Sequence, residues 1–191
     1  MKPGVVLERI AIVVASLALA FGLIALLSGF FAGRDQAGVS AVVAGPGRAL
    51  PDLGDAHLRP GAVHPRYDSD PPTSGAHVPV PVRHDEGKLT TDQLLQALEE
   101  GNVVVMYGGD KPPPGLRRLA RSLAPPFTPA LAAAGQAVIL ARRSGTHGLL
   151  GLAWAHAITV PGPAHPPLRT FVEFWLGRGA PGRAGSGLSA R

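Results

Sequence analysis

The feature that most constrains this chain is an uncharged run of 24 residues, Ile10 to Gly33, whose only polar members are Ser16 and Ser28. A helix rising about 1.5 Å per residue carries such a run across roughly 36 Å, more than the ~30 Å hydrocarbon core of a bilayer. Lys2, Glu8 and Arg9 precede the run, and Arg34 and Asp35 close it. A cleaved signal peptide has an apolar core of only about 7–15 residues followed by a small-residue site. The nearest match to such a site is Val39-Ser40-Ala41, a weak one. The run therefore predicts a single-pass transmembrane helix over 10–33 after a short flank over 1–9. Positive charge is nearly balanced on its two sides, so the charge rule alone does not orient it. A short flank inside and the remainder on the extracytoplasmic side is the arrangement expected. The membrane lipid bilayer is thus the first partner implied, with an envelope protein as a further one. The stretch that follows is rich in Gly, Ala and Pro and reads as a flexible tether over 34–50.

There are no cysteines, which excludes disulfides, thiolate-ligated zinc, thiol catalysis and acylation at cysteine. The net charge of +5 comes mainly from scattered arginines. Arg117, Arg118 and Arg121 form the one cluster, without the interleaved aromatics that stack nucleic-acid bases. Nucleic acid is not an expected partner. The cluster reads as a solvated helix face, or as a face resting on anionic headgroups beside the anchor.

From Pro51 to Pro81 the chain is dense in Pro, Asp and His and lacks apolar periodicity. Each proline removes a backbone donor and disfavours helix at the residue before it, so this segment is expected to be irregular and to wrap the folded core. Regular structure begins near Thr90. Thr90 and Gln93 match a capping box, Leu94, Leu95 and Leu98 supply a buried stripe, and Gly101 sits where a helix ends. Val103 to Tyr107 and Ala137 to Leu140 read as strands, and a third is expected from about Leu150 to Val160, with Leu152, Trp154, His156 and Ile158 on one face. Leu116, Leu119 and Leu123 recur at helical spacing opposite the arginines, and Pro166-Pro167 opens a helix carrying Leu168, Phe171, Val172, Trp175 and Leu176. These elements predict an α+β domain over 51–179, with a short, mostly antiparallel sheet and about three helices. The Gly-, Ala- and Arg-rich tail over 180–191 is expected to be disordered.

The block Tyr67-Asp68-Ser69-Asp70-Pro71-Pro72-Thr73-Ser74-Gly75-Ala76-His77, preceded by Pro51 to Gly54 and His57, resembles the bacterial domain of unknown function 3105 family. Members typically carry a Y-N-S-x-P-P-T-S-G-x-H block, a helix reading H-x-L-E-H-G and a later A-W-G strand. Leu98-Glu99 and Gly101 match that helix, and Ala153-Trp154 matches that strand. The resemblance spans roughly Pro51 to Gly179 and implies architecture and a membrane or exported location more than chemistry. Gln96 and Glu100 stand where the family has its two helix histidines, and the cysteine some members carry after the block is absent. The resemblance therefore implies that any metal site drawing on those histidines is incomplete here.

Seven histidines are present, and His57, His64 and His77 all fall in the irregular segment. Imidazole is the commonest zinc and copper ligand, so His57 and His77 with Glu100 from the helix make a candidate metal site. It requires the segment to fold back over the helix that carries Glu100. The spacing is not diagnostic, and the same histidines serve equally as structural anchors bonded to backbone carbonyls. Ser74 lies three residues before His77, but no G-x-S-x-G elbow surrounds it, and Pro71-Pro72 make a rigid turn the simpler reading. Gly108-Gly109-Asp110-Lys111 lacks the Gly-Lys-Ser/Thr ending of a phosphate loop. The leading expectation is a tethered, non-catalytic binding or interaction module. A zinc- or copper-binding envelope protein is the alternative, and a hydrolase is disfavoured.

Overall fold

A computed structural model of the protein describes residues 44–181. The expected transmembrane helix over 10–33 lies outside the described residues, and no helix among those described is long and apolar enough to cross a membrane. The order of elements is β1 (Arg48–Ala49), α1 (Thr91–Glu100), β2 (Val103–Tyr107), α2 (Leu116–Leu123), α3 (Pro129–Ala133), β3 (Val138–Arg142), β4 (Leu149–Ala153), β5 (His156–Val160) and α4 (Pro166–Trp175).

The capping box forms: Thr90 Oγ1 accepts from the Gln93 amide at 3.2 Å, and Gln93 Oε1 accepts from the Thr90 amide at 3.0 Å. At the other end Gly101 takes a left-handed conformation, φ 106°, closing the helix as only glycine does without strain. One residue later the β-branched run of β2 begins, and all five of its residues are buried. Such a strand must be covered on both faces. Val104 and Met106 meet α1 and Ala132 of α3, together with Ile139, Ala141, Leu152 and Trp154. Val103, Val105 and Tyr107 meet Leu116 of α2 and Leu168, Phe171, Val172 and Trp175 of α4. Helices thus flank a five-stranded sheet of order β1-β5-β4-β2-β3.

The sheet is mixed. The β1–β5, β5–β4 and β4–β2 ladders are antiparallel, while β2 and β3 run parallel, Val103 opposite Val138 through Tyr107 opposite Arg142. The connection over 108–137 carries α2 and α3, the length of crossover a parallel pair requires. α3 is a fourth helix beyond the three expected, a single turn capped by Thr128 and opened by Pro129, too short to show periodicity.

The single strand expected over 150–160 is instead a hairpin. Ala153 pairs with His156, leaving Trp154-Ala155 as a two-residue turn with Ala155 at φ 54°. Tight hairpin turns of this kind normally announce themselves with Asn or Gly. Here the turn is held from outside, because the Ala155 amide donates to the Thr73 carbonyl and its own carbonyl accepts from the Leu50 amide. The hairpin also divides the apolar face read for one continuous strand: Leu152 and Trp154 join one core layer, whereas His156 stacks on Trp175 of the other at 3.8 Å between ring centres.

Both ends of the domain extend past the expected limits. Arg48 and Ala49, placed in the tether, pair with β5, and Leu50 is buried. Ala180, placed in the tail, is buried too, and its amide donates to the Glu99 carbonyl while the Gly177 amide donates to that of Gly101. Small residues are what this docking needs, since a Cβ on Gly179 would lie 1.9 Å from the Glu99 oxygen. The remaining tail, 182–191, lies outside the described residues.

Candidate metal centre

The Pro- and His-rich segment contains no helix, and its only ladder contact is an isolated parallel bridge between His57 and His77. Two backbone bonds make that bridge: the Leu58 amide donates to the His77 carbonyl at 2.7 Å, and the His77 amide donates to the Ala56 carbonyl at 3.1 Å. Residues opposite one another in a ladder project their side chains to the same side. The rings of His57 and His77 accordingly meet edge to face, their centres 5.4 Å apart. Ser74 draws the two passes together. Its hydroxyl donates to the Pro51 carbonyl and accepts from the Leu53 amide, both at 3.0 Å, and the Gly75 amide donates to the Gly54 carbonyl. The hydroxyl considered as a nucleophile is thus spent on backbone.

Two carboxylates of α1 face the segment. Asp92 Oδ1 accepts from the Val78 amide at 2.8 Å and lies 2.7 Å from His64 Nε2. Burial pushes the Asp92 carboxyl up, but the His64 and Val78 hydrogen bonds, with the nearby His64 and His77 rings, hold it below the usual carboxylate range. Two turns further along, Glu99 Oε2 lies 3.0 Å from His57 Nε2 and 3.1 Å from His77 Nε2. The three donor atoms of His57, His77 and Glu99 all lie within 4.8 Å of one another.

Sequence alone points to His57, His77 and Glu100. The structure brings the two histidines together, but the carboxylate beside them is Glu99. Glu100 instead accepts from Gln96 Nε2 at 3.0 Å, so the two positions that depart from the family's histidines bond to each other. Residues Asp92, Gln96 and Glu99 follow i, i+4, i+7 spacing, and Glu99 directly follows Leu98 of the buried stripe. An acidic residue inside an apolar stripe was the signal available for Glu99. Of the other histidines, His84, His147 and His165 are exposed, and His156 is buried against Trp175.

The protonation geometry narrows the chemistry. His77 is fully buried, and its Nδ1 lies 3.0 Å from the Gly75 carbonyl, a group that can only accept. Nδ1 therefore carries a proton, and in the neutral ring the Nε2 lone pair faces the Glu99 carboxylate. Although 3.1 Å away, that carboxylate oxygen is out of line for a hydrogen bond from Nε2, which has no other hydrogen-bond partner. A buried nitrogen lone pair against a carboxylate is repulsive unless a cation lies between them. Two donors held about 2.0–2.1 Å from a tetrahedral zinc ion stand about 3.3 Å apart, close to the two contacts on Glu99. The Nδ1–H to carbonyl bond is also the second-shell contact that fixes a metal-ligating imidazole. Burial leaves one approach: Glu99 is 2% exposed and His77 0%, but the His57 side chain is 39% exposed.

The family model described as "Protein of unknown function (DUF3105)" matches residues 62–186. The chain belongs to this family. Among curated proteins none matches, nor does any solved structure. His77 and Glu99 lie inside the matched stretch, and His57 lies just before it.

Proposed function

We propose that this family member is a membrane-tethered, extracytoplasmic domain that binds a divalent transition metal, with His57, His77 and Glu99 as ligands. The observation that carries the reading is the buried His77 Nε2, aimed beside a carboxylate and without a hydrogen bond. Two imidazoles and one carboxylate suit zinc best and copper next. Three protein ligands leave a fourth position for water or a small ligand from solvent, on the half-exposed side of His57. The location rests on the uncharged run Ile10 to Gly33, which is long enough to hold the domain at a bilayer. A binding role without catalysis is the simplest one these groups support, because Ser74 is committed to backbone bonds.

Equilibrium dialysis of the full chain in detergent against zinc tests the reading. We expect Glu99→Gln to weaken binding at least about tenfold, the lower end of what even outer-shell changes cost. Glu100→Gln is expected to leave binding unchanged, and His57→Ala to weaken it while the circular dichroism spectrum is retained. Equal zinc affinity of the wild type and the Glu99→Gln variant overturns the metal reading.

A further inference from the structure

The described chain begins against α4. A Cβ on Gly45 would lie 2.4 Å from the Phe174 ring and 2.5 Å from that of Trp175, and Trp175 Nε1 donates to the Pro46 carbonyl at 2.8 Å. Only eleven residues, 34–44, separate Gly45 from the end of the uncharged run, and at full extension they span at most about 40 Å. The chain therefore enters the domain beside the end of α4, a short link away from the uncharged run in sequence.

Cations lie on α2 and at both ends of α4. The Arg178 guanidinium lies over the Phe174 ring, 4.1 Å from its centre. Arg169, at the start of α4, donates to Ser122 Oγ of α2 at 2.8 Å and pairs with Glu173. Arg118 and Arg169 line one cavity of about 330 Å³ between α2 and the start of α4, walled by Leu119, Pro114 and Pro163. Arg118, Arg121 and Arg178 are exposed, and none has a carboxylate within ion-pair distance among the described residues. α2 buries only Leu116 fully, leaving the rest of the helix toward solvent or half-covered.

We infer that the α2–α4 face docks on anionic lipid headgroups, Arg118 and Arg169 presenting the cavity to a lipid phosphate and Arg178 flanking the place where the chain arrives. The inference rests on the tethered reading above and adds to it a fixed orientation, with the histidine–glutamate centre carried by different elements, α1 and the irregular segment. Guanidinium suits the task because its planar fork matches phosphate oxygens two at a time. Each cation near an anionic surface strengthens association roughly fivefold, so several together hold a face that one alone would not.

Amide hydrogen exchange on the full chain in lipid nanodiscs tests this. In discs with about a quarter phosphatidylglycerol, α2 amides should exchange at least about fivefold more slowly than in phosphatidylcholine alone. Raising salt to about 0.5 M should remove the difference, as should Arg118→Glu/Arg178→Glu, while α1 keeps its protection as the control for folding. Equal exchange of α2 in the two lipids, or protection that survives in the variant, overturns the docked face and leaves the tether standing. A chain that enters neither disc defeats the tether and the docked face together.

Discussion

Glu99 and Glu100 are neighbours in sequence, but a helix turns about 100° per residue, and that rotation separates their chemistry. Glu99 points into the stripe formed by Leu95 and Leu98 and is buried beneath two imidazoles, whereas Glu100 turns aside to meet Gln96. The choice of glutamate was open to a sequence reading only through helical geometry, and the family's own histidine positions drew attention to Gln96 and Glu100. His156 shows a second consequence of burial. It donates from Nδ1 to the Trp154 carbonyl, stacks on Trp175, and burial lowers its pKa despite that hydrogen bond. A folded-state pKa below the unfolded value means the unfolded chain binds the proton more readily, so this contribution is full above about pH 6.5. It is lost as pH falls through the folded value. Asp92, also lowered, acts in the same direction further down, from about pH 3.8. We expect His156→Phe to be less stable at pH 8 but to show a flatter fall in stability between about pH 7 and 5. Urea denaturation at a series of pH values measures both, and a variant slope equal to that of the wild type removes His156 from the account.

At the scale of elements, caps and turns decide where the regular structure stops. The Thr90–Gln93 box and Gly101 are written in adjacent residues, and α1 begins and ends where they place it. Gly101 is constrained twice, since its φ of 106° disfavours any Cβ and an added Cβ would stand 3.0 Å from the Gly177 carbonyl carbon. Gly101→Ala should therefore cost about 2 kcal/mol, one part from the left-handed backbone and the rest from displacing the docked end at 177–180. Chemical denaturation reads it, and a loss under about 0.5 kcal/mol contradicts the strained cap. The β4–β5 hairpin is the opposite case. Trp154-Ala155 carries none of the residues that favour a tight turn, and its backbone groups are satisfied by Thr73 and Leu50, distant in sequence. Local chemistry could not announce a turn that depends on a remote partner.

For the whole molecule, the irregular segment is attached to the sheet-and-helix body by a few long-range polar contacts. His57 and Glu99 are 42 residues apart, and His64 and Asp92 are 28 apart. A metal ion bound by His57, His77 and Glu99 would add a cross-link between segment and body, and binding to the native state alone stabilises it by mass action. At free zinc one hundredfold above the dissociation constant this is about 2.7 kcal/mol, which for a domain of this size raises the melting temperature by roughly 5–10 °C. Zinc should also slow proteolytic cleavage between Pro51 and Pro81; a melting curve and digest unmoved by saturating zinc would contradict the cross-link. By itself the sequence determined the apolar run, the three longer helices and the caps of α1, the strands β2 and β3, and the irregular character of the Pro-rich segment. Each of these follows from patterns or from proline chemistry within a few consecutive residues. Tertiary structure alone decided that His57 lies beside His77, that Glu99 meets them, that 154–155 turns, and that both ends of the domain join its core. Those contacts link residues tens of positions apart, and their free energy depends on burial and partners that only the packed chain creates.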